Sequence, residues 1–524
     1  VISGPVIVVG AGHNGLVCAY YLAKAGLQVQ ILEARPEVGG ACKTEELIPG
    51  YRFSTCANVT CWLRPEIVRD LDLLGRGVQF SVSGQAVYDC FPVYSWLAPE
   101  GPFVWWAGEE RLLAQIEALS RADARAWPEW NRFWRKAGEI LGPFVMRAPP
   151  TLAELVRRAG EIGAEEVLQT ILTTPVAHLA DRFFESRTMR DHVNPPHDLG
   201  SSYDTGTALA AALAQAVTGS LPEGLPVPRG YVRGGMGTIT QAMAAACRER
   251  GVVIRTSAAV RRILLRGGRA SGVMLESGER LDAQLVVSNA DPRRTFLKLL
   301  DPAELPDWLV GRVRALRTDV APLKLHCALS ALPRFPAFRE AALEEETLLQ
   351  GGLRLCRGRE ALESAWEDAL HGRLPEEPYM DMMVPSLWDP SLAPAGHHTA
   401  SFWILFAPPR LREGSWEDRR AEMAERLLAV VDRYSPNFRS SLADCFLLTP
   451  YDLEQRVLLT GGNIHHIDIH PSQMLWQRPF PEASHYRSPV AGLYLCGAGT
   501  HPYGEVSGAP GHNAAAAILG DVMD

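Results

Sequence analysis

The chain opens on an unbroken β-branched run, Val6-Ile7-Val8-Val9, with no polar alternation. Such a run predicts a parallel strand buried on both faces. It passes directly into Gly10-Ala11-Gly12-His13-Asn14-Gly15. Leu16, Ala19, Tyr20, Leu22 and Ala23 then recur at helical spacing, and the pattern stops at Gly26. A second apolar strand, Val29-Gln30-Ile31-Leu32, ends on Glu33.

Strand, G-x-G-x-x-G, helix, strand and acid together predict a dinucleotide site, with Glu33 at about the 20-residue spacing expected after the first glycine. Gly10 permits the tight turn. Gly12 lets the backbone approach a pyrophosphate, and Gly15 lets the helix pack closely on the strand. The helix N-terminus stabilises the phosphate anions, and Glu33 accepts hydrogen bonds from a ribose diol.

Similar punctuation recurs later. Gly234-Gly235-Met236-Gly237-Thr238 separates the strand-like Tyr231-Val232-Arg233 from a helical stretch over residues 239–250. Residues 251–255 and 258–265 read as strands, and 269–288 as strand, turn at Ser277-Gly278, and strand. Near the C-terminus, Gly492-Leu493-Tyr494-Leu495-Cys496 reads as another buried strand. It enters Gly497-Ala498-Gly499-Thr500-His501-Pro502, followed by Gly508-Ala509-Pro510-Gly511 and an alanine-rich helix.

Two of these segments carry a family resemblance. Glu33-Ala34-Arg35-Pro36-Glu37-Val38-Gly39-Gly40-Ala41-Cys42-Lys43-Thr44 resembles the Glu-(x)5-Gly-Gly-(x)3-Ser/Thr extension of amine oxidase and phytoene desaturase flavoproteins. The segment from Gly492 to Pro502 resembles the C-terminal flavin motif of the phytoene desaturase-like superfamily. The likeness is strongest to the branch related to pyridine nucleotide-disulfide oxidoreductase domain-containing protein 2. Gly461-Gly462-Asn463-Ile464-His465-His466 is similar to the same branch, so the resemblance spans the chain.

The resemblance implies FAD as cofactor and an α/β fold. Its Rossmann-like, amine oxidase-type FAD-binding domain is discontinuous, comprising residues 1–75, 230–300 and 450–524. An α+β substrate domain, residues 76–229 and 301–449, is interleaved with it. The proline- and glycine-rich residues 222–230 mark one return of the chain. By the same resemblance Ala34, Arg35, Gly39, Gly40 and Ala41 pass the flavin phosphates and ribityl chain. The backbone of Val260 meets the adenine, and Gly497, Gly499, Thr500, Gly508 and Gly511 lie at the cofactor. Many relatives carry Arg where Ala41 stands, which disfavours a typical amine oxidase.

A flavin dehydrogenation needs a carbon held against the flavin and a destination for a proton. Four residues are candidates. Lys324, in the alternating Leu323-Lys324-Leu325-His326-Cys327, is similar to an amine oxidase lysine that holds a water near the reactive flavin nitrogen; the other reading is a solvated strand lysine. Tyr503 and Glu505 stand where relatives carry consecutive glycines, so each either contacts substrate or turns away. His466 follows His465; on a strand the two would face opposite ways, one as acid or base, or both as structural histidines. His465, His466, Asp468 and His470 have no second cluster at ligand spacing, and no metal is expected.

The implied function is FAD-dependent dehydrogenation of a C–C or C–N unit in a largely apolar small molecule, by hydride transfer to flavin. Oxygen or a quinone would accept the electrons. A flavin amine oxidase, a redox-neutral flavin isomerase and a non-catalytic FAD-binding scaffold are the alternatives. There is no second complete G-x-G-x-x-G and no Cys-x-x-Cys, so neither NAD(P) nor a reactive dithiol is expected.

Composition narrows the remaining classes. With 47 % hydrophobic and 21 % charged residues the chain is globular rather than disordered. Its net charge of −8 argues against nucleic-acid binding. No apolar run approaches the roughly 18 residues of a membrane span; residues 208–217 come closest. The chain starts at Val1 without a signal-peptide pattern. Ten scattered cysteines point to a reducing compartment, the cytoplasm. In the tryptophan-rich residues 126–146, Trp130, Phe133, Trp134 and Leu141, interspersed with Arg132, Arg135 and Lys136, form one helical apolar face with two readings: a core or pocket wall, or a peripheral membrane anchor.

Overall fold

The computed structural model describes residues 4–82, 92–98, 101–193, 200–219 and 229–523. Cys90 and residues 222–228 lie outside them. Among the described residues, a five-stranded parallel sheet runs in the order Leu493–Leu495, Leu285–Ser288, Val6–Val9, Val29–Leu32, Val253–Arg255. Its central strand is buried throughout, which is why it carries four β-branched residues and no polar alternation. Helices His13–Lys24, Gly237–Glu249 and Ala509–Met523 cover one face. The other face packs Ile7, Val9, Leu32, Val286 and Leu495 against an antiparallel layer of Val260–Arg266, Arg269–Leu275 and Arg280–Asp282. The span 269–288 thus holds three strands rather than two, because Ala283-Gln284 carries the chain from the small layer into the parallel sheet.

The sheet is assembled from three distant stretches of chain, near residues 6–32, 253–288 and 493–495. That is the α/β, Rossmann-like architecture expected, discontinuous in sequence. The chain between these stretches builds a seven-stranded mixed sheet, ordered Leu442–Leu448, Ala321–Leu329, His398–Ala407, Tyr379–Met383, Gly352–Leu355, Pro92–Ala98, Gly101–Trp106. Only the contact between Gly352–Leu355 and Pro92–Ala98 is parallel within it. One face of this sheet buries Leu323, Leu325, Leu353, Met380, Met382, Phe402 and Ile404 in the largest core. On the opposite face Lys324, Trp403, Asp381 and Arg354 are direct cross-strand neighbours in a single row.

The tryptophan-rich segment forms helix Arg121–Leu141. Ser120 caps its start by accepting the Asp123 N–H at 3.1 Å. Trp127, Trp130 and Trp134 are buried, with Trp130 packed edge-on to Phe184 at 5.1 Å between ring centres. These rings face the core and leave no aromatic stripe on the surface of this helix. Helix Thr207–Gly219 packs in the same core. No helix among the described residues is long and apolar enough to cross a membrane.

Trp130→Ala is expected to lower stability by about 3–5 kcal/mol in urea unfolding, whereas Arg132→Ala, on the exposed face, stays within about 0.5 kcal/mol. A membrane anchor would give the reverse signature: loss of liposome flotation by Trp130→Ala with unfolding unchanged.

Candidate functional site

The C-terminal ends of Val6–Val9 and Val29–Leu32 and the start of His13–Lys24 open onto a cavity of about 500 Å³. Gly10 takes φ +97°, a left-handed conformation open to glycine at little cost. A methyl group on Gly12 would lie 2.8 Å from the Asn289 side-chain nitrogen, and one on Gly15 would overlap the Gly10 carbonyl oxygen. The second glycine pair folds over this turn: Gly39 donates its N–H to the Ala11 carbonyl at 2.9 Å and bridges to Gly12. Helix His13–Lys24 begins without a capping side chain, so its first-turn N–H groups are free to meet an anion.

Glu33 braces the same turn. One carboxylate oxygen accepts the Ala11 N–H at 2.7 Å and the other the Arg35 N–H at 2.9 Å. Each retains capacity for a further donor. Ala34, Arg35, Ala259, Val260 and Glu276 complete this end of the wall.

Whether a dinucleotide fits can be read from atoms that lack partners. His13 Nε2, Arg35 Nη1 and His466 Nδ1 are buried and have no hydrogen-bond partner among the described residues, and all three side chains line the cavity. Buried polar groups require partners. Glycines that leave room for backbone approach, an uncapped helix start and unpartnered nitrogens suit a phosphate- and hydroxyl-bearing ligand.

The cavity continues to the seven-stranded sheet, where Asn58, Trp62, Tyr94, Asp381, Met383 and Trp403 form its wall. Lys324 is wholly buried one layer behind. Its Nζ donates to the Asn58 side-chain oxygen and lies 5.3 Å from the Trp403 ring centre. Burial pushes its pKa down to about 7. Asp381 pairs with Arg354, Nε to Oδ1 at 3.0 Å, with both side chains at most 8 % exposed. The guanidinium sits against the rings of Tyr94 and Tyr379, at 4.7 and 5.1 Å.

His465 and His466 occupy a turn and not a strand, with His466 at φ +69°. The two still part company. His466 lines the cavity, and His465 lies beside Tyr503 at 6.2 Å between ring centres. Burial, with Arg478 and His13 nearby, pushes the His466 pKa down to about 3, so its ring is neutral at physiological pH. His13, held neutral by burial at about 4, hydrogen-bonds the backbone of Glu505. Arg478 is fully buried and donates to the carbonyls of His465, Ile467, Asp468, Gln473 and Ala498. It thereby pins the His466 turn to the Gly497-Ala498-Gly499 turn.

Of the residues singled out from sequence, Gly10, Gly12, Glu33, Ala34, Arg35, Gly40, Ala41 and Val260 line the cavity, as do His466 and Glu505. Gly15, Gly39, Gly497, Gly499, Thr500, Gly508 and Gly511 stand one layer back, where they set close packing. Gly497 and Gly499 pack against His466, Gly508 against Ile67 and Val17, and Gly511 against the Asn14 carbonyl. The Thr500 hydroxyl donates to the Gly497 carbonyl at 2.9 Å. Lys324 reaches the wall through Asn58 and Trp403. Tyr503 is buried in the large core, outside the lining. Asn58, Trp62, Tyr94, Asp381 and Trp403 went unremarked in the sequence. A signal exists for two of them: Met380-Asp381-Met382 and Phe402-Trp403-Ile404 repeat the alternation of Leu323-Lys324-Leu325.

Lys324 also makes a pH-dependent contribution to stability. Its folded pKa of about 7 lies below the ordinary 10.5. Between those values the unfolded chain binds more protons, so this group's contribution to stability rises with pH across that window. The stability of Lys324→Met relative to wild type should therefore be greatest at pH 6 and fall steadily towards pH 10, as measured by thermal unfolding.

The comparisons agree with this geometry. The family described as flavin containing amine oxidoreductase matches over residues 15–326. The chain is 33 % identical to pyridine nucleotide-disulfide oxidoreductase domain-containing protein 2 of Rattus norvegicus, over 99 % of this chain and 94 % of that one. It is 25 % identical to phytoene desaturase (lycopene-forming) of Pantoea ananas, over 98 % of each. Cyclohexylamine oxidase from Brevibacterium oxydans IH-35A shares the fold, with a TM-score of 0.57 at 16 % identity, over 99 % of this chain and all of that one. The cofactor is FAD, held in an amine oxidase-type α/β fold. The chain belongs to the flavin containing amine oxidoreductase family, as a flavin-dependent oxidoreductase.

Proposed function

We propose that this protein dehydrogenates a C–C or C–N bond of a largely apolar small molecule by hydride transfer to FAD, with oxygen or a quinone as final electron acceptor. One observation carries the reading. A single cavity joins the dinucleotide cradle to a chamber walled by Val59, Trp62, Met383, Trp403, Leu458, Leu459 and Ile464. FAD, when bound, supplies the two-electron acceptor.

The chain's own residues do the rest. The Gly10–Gly15 turn and the start of helix His13–Lys24 hold the phosphates, Glu33 the ribose, and the backbone at Val260 the adenine. Gly40 and Ala41 line the cavity without a bulky side chain. The apolar walls exclude water from the reacting carbon. His466, its ring neutral, borders the chamber beside the Gly497-Ala498-Gly499 turn, and Glu505 also lines the cavity. Lys324, one layer behind the wall with a pKa of about 7, takes up a proton at Nζ by way of one intervening water, and Asn58 fixes where that Nζ sits. Tyr503, outside the lining, has no contact role in this scheme.

The test is the visible spectrum of the purified protein during anaerobic addition of lipophilic alkenes, alcohols and amines. Bleaching of the flavin band by one class is expected. Lys324→Met should slow that bleaching by about 100-fold or more and remove an inflection near pH 7 from its pH profile. A flavin band that no class bleaches contradicts the reading.

A further inference from the structure

We infer that Asp381 selects the substrate: the chamber takes an apolar small molecule bearing one neutral hydrogen-bond donor, a hydroxyl or an amide N–H, which docks on the Asp381 carboxylate. This rests on the chamber being the substrate site.

The row Lys324–Trp403–Asp381–Arg354 runs across the buried face of the seven-stranded sheet. Asp381 lines the cavity, whereas Arg354 does not. The carboxylate is therefore the group of this pair that a ligand meets. Arg354 holds it in place with Nε–Oδ1 at 3.0 Å and Nη2–Oδ2 at 3.4 Å, and the rings of Tyr94 and Tyr379 hold Arg354. A carboxylate offers about four acceptor positions, and Arg354 occupies one on each oxygen. The rest are open to a donor from the cavity.

A buried ion pair is rarely kept for stability, since well-packed apolar residues serve as well or better. Here it stands among Val59, Trp62, Met383, Trp403 and Leu459, with Asn58 and Tyr94 the other polar members of that wall. A hydrocarbon without a donor would press apolar surface against the open carboxylate positions, and burying a polar group unpaired is costly. A site built around such a group discriminates strongly against ligands that lack its partner.

The donor is neutral rather than cationic. Arg354 already pairs with the Asp381 carboxylate, so an ammonium docking there would meet a carboxylate whose charge is already balanced and would sit beside the Arg354 cation. Two residues along the row, burial has already shifted Lys324 towards its neutral form, showing what this environment does to a cation.

The holoenzyme tests this with three probes of one skeleton: 3-phenyl-1-propanol, its methyl ether and 3-phenylpropylammonium. Dissociation constants are read from the perturbation of the flavin absorption band. The alcohol should bind about tenfold tighter than the ether or better, and tighter than the ammonium. In the double variant Asp381→Leu/Arg354→Met, which leaves no orphaned charge, alcohol and ether should bind within about twofold of each other. Equal binding of alcohol and ether by wild type, no binding of the alcohol, tighter binding of the ammonium, or an alcohol preference that survives in the double variant each overturns the inference. If the double variant loses its flavin, the wild-type ratios decide alone. Failure of the dehydrogenase reading is separate, because it appears as a flavin that no compound bleaches, whatever the binding preference.

Discussion

At the mouth of the parallel sheet, three glycines are packed so closely that none has room for a side chain. Gly15 abuts the Gly10 carbonyl, Gly12 faces Asn289, and Gly511 rests on the Asn14 carbonyl. These contacts join residues from the beginning, middle and end of the chain around one turn. The first helix can then start directly beneath the place proposed for the phosphates, and Glu33 can reach back to the Ala11 N–H. Close packing at one point thus explains both the dinucleotide site and its assembly from separated stretches of sequence.

The second constraint comes from a sheet with two different faces. Leu323, Leu325, Met380, Met382, Phe402 and Ile404 bury one face in the large core. Strand alternation then forces Lys324, Asp381 and Trp403 together on the other. Those side chains cannot retreat into solvent, so they neutralise, pair or stack. Lys324 is driven towards its neutral form, Asp381 pairs with Arg354, and the guanidinium stacks on tyrosines. The wall these side chains build is apolar around one compensated ion pair, which is the kind of surface the proposed hydride transfer from an apolar carbon calls for.

The cradle was legible in the sequence because its requirements are local. Gly10, Gly12, Gly15 and Glu33 act through fixed spacings along one stretch, and each sits in or directly behind the cavity wall. The chamber was less legible because its members meet only when strands pair. Asp381 and Arg354 are 27 residues apart, and neither lies in a motif. Their alternating apolar neighbours show that they share a face with Lys324, but not which strands stand side by side. His466 illustrates a third case. Strand alternation is one way to part adjacent histidines; here a turn at φ +69° does it, and the His466 side chain reaches the cavity with Arg478 fixing the turn from behind. Tyr503 shows the limit of argument by departure: a side chain where relatives have glycine need not face the cofactor, and this one packs into the core.

The most direct measurement is a crystal structure of the protein carrying its flavin. The account predicts density for the adenosine end against Glu33 and Val260, phosphates at the Gly10–Gly15 turn, and the ring end against the wall that holds Asn58, His466 and Glu505. Density that places the ring outside this cavity, or separates it from the row of Trp403 and Asp381, would contradict the account.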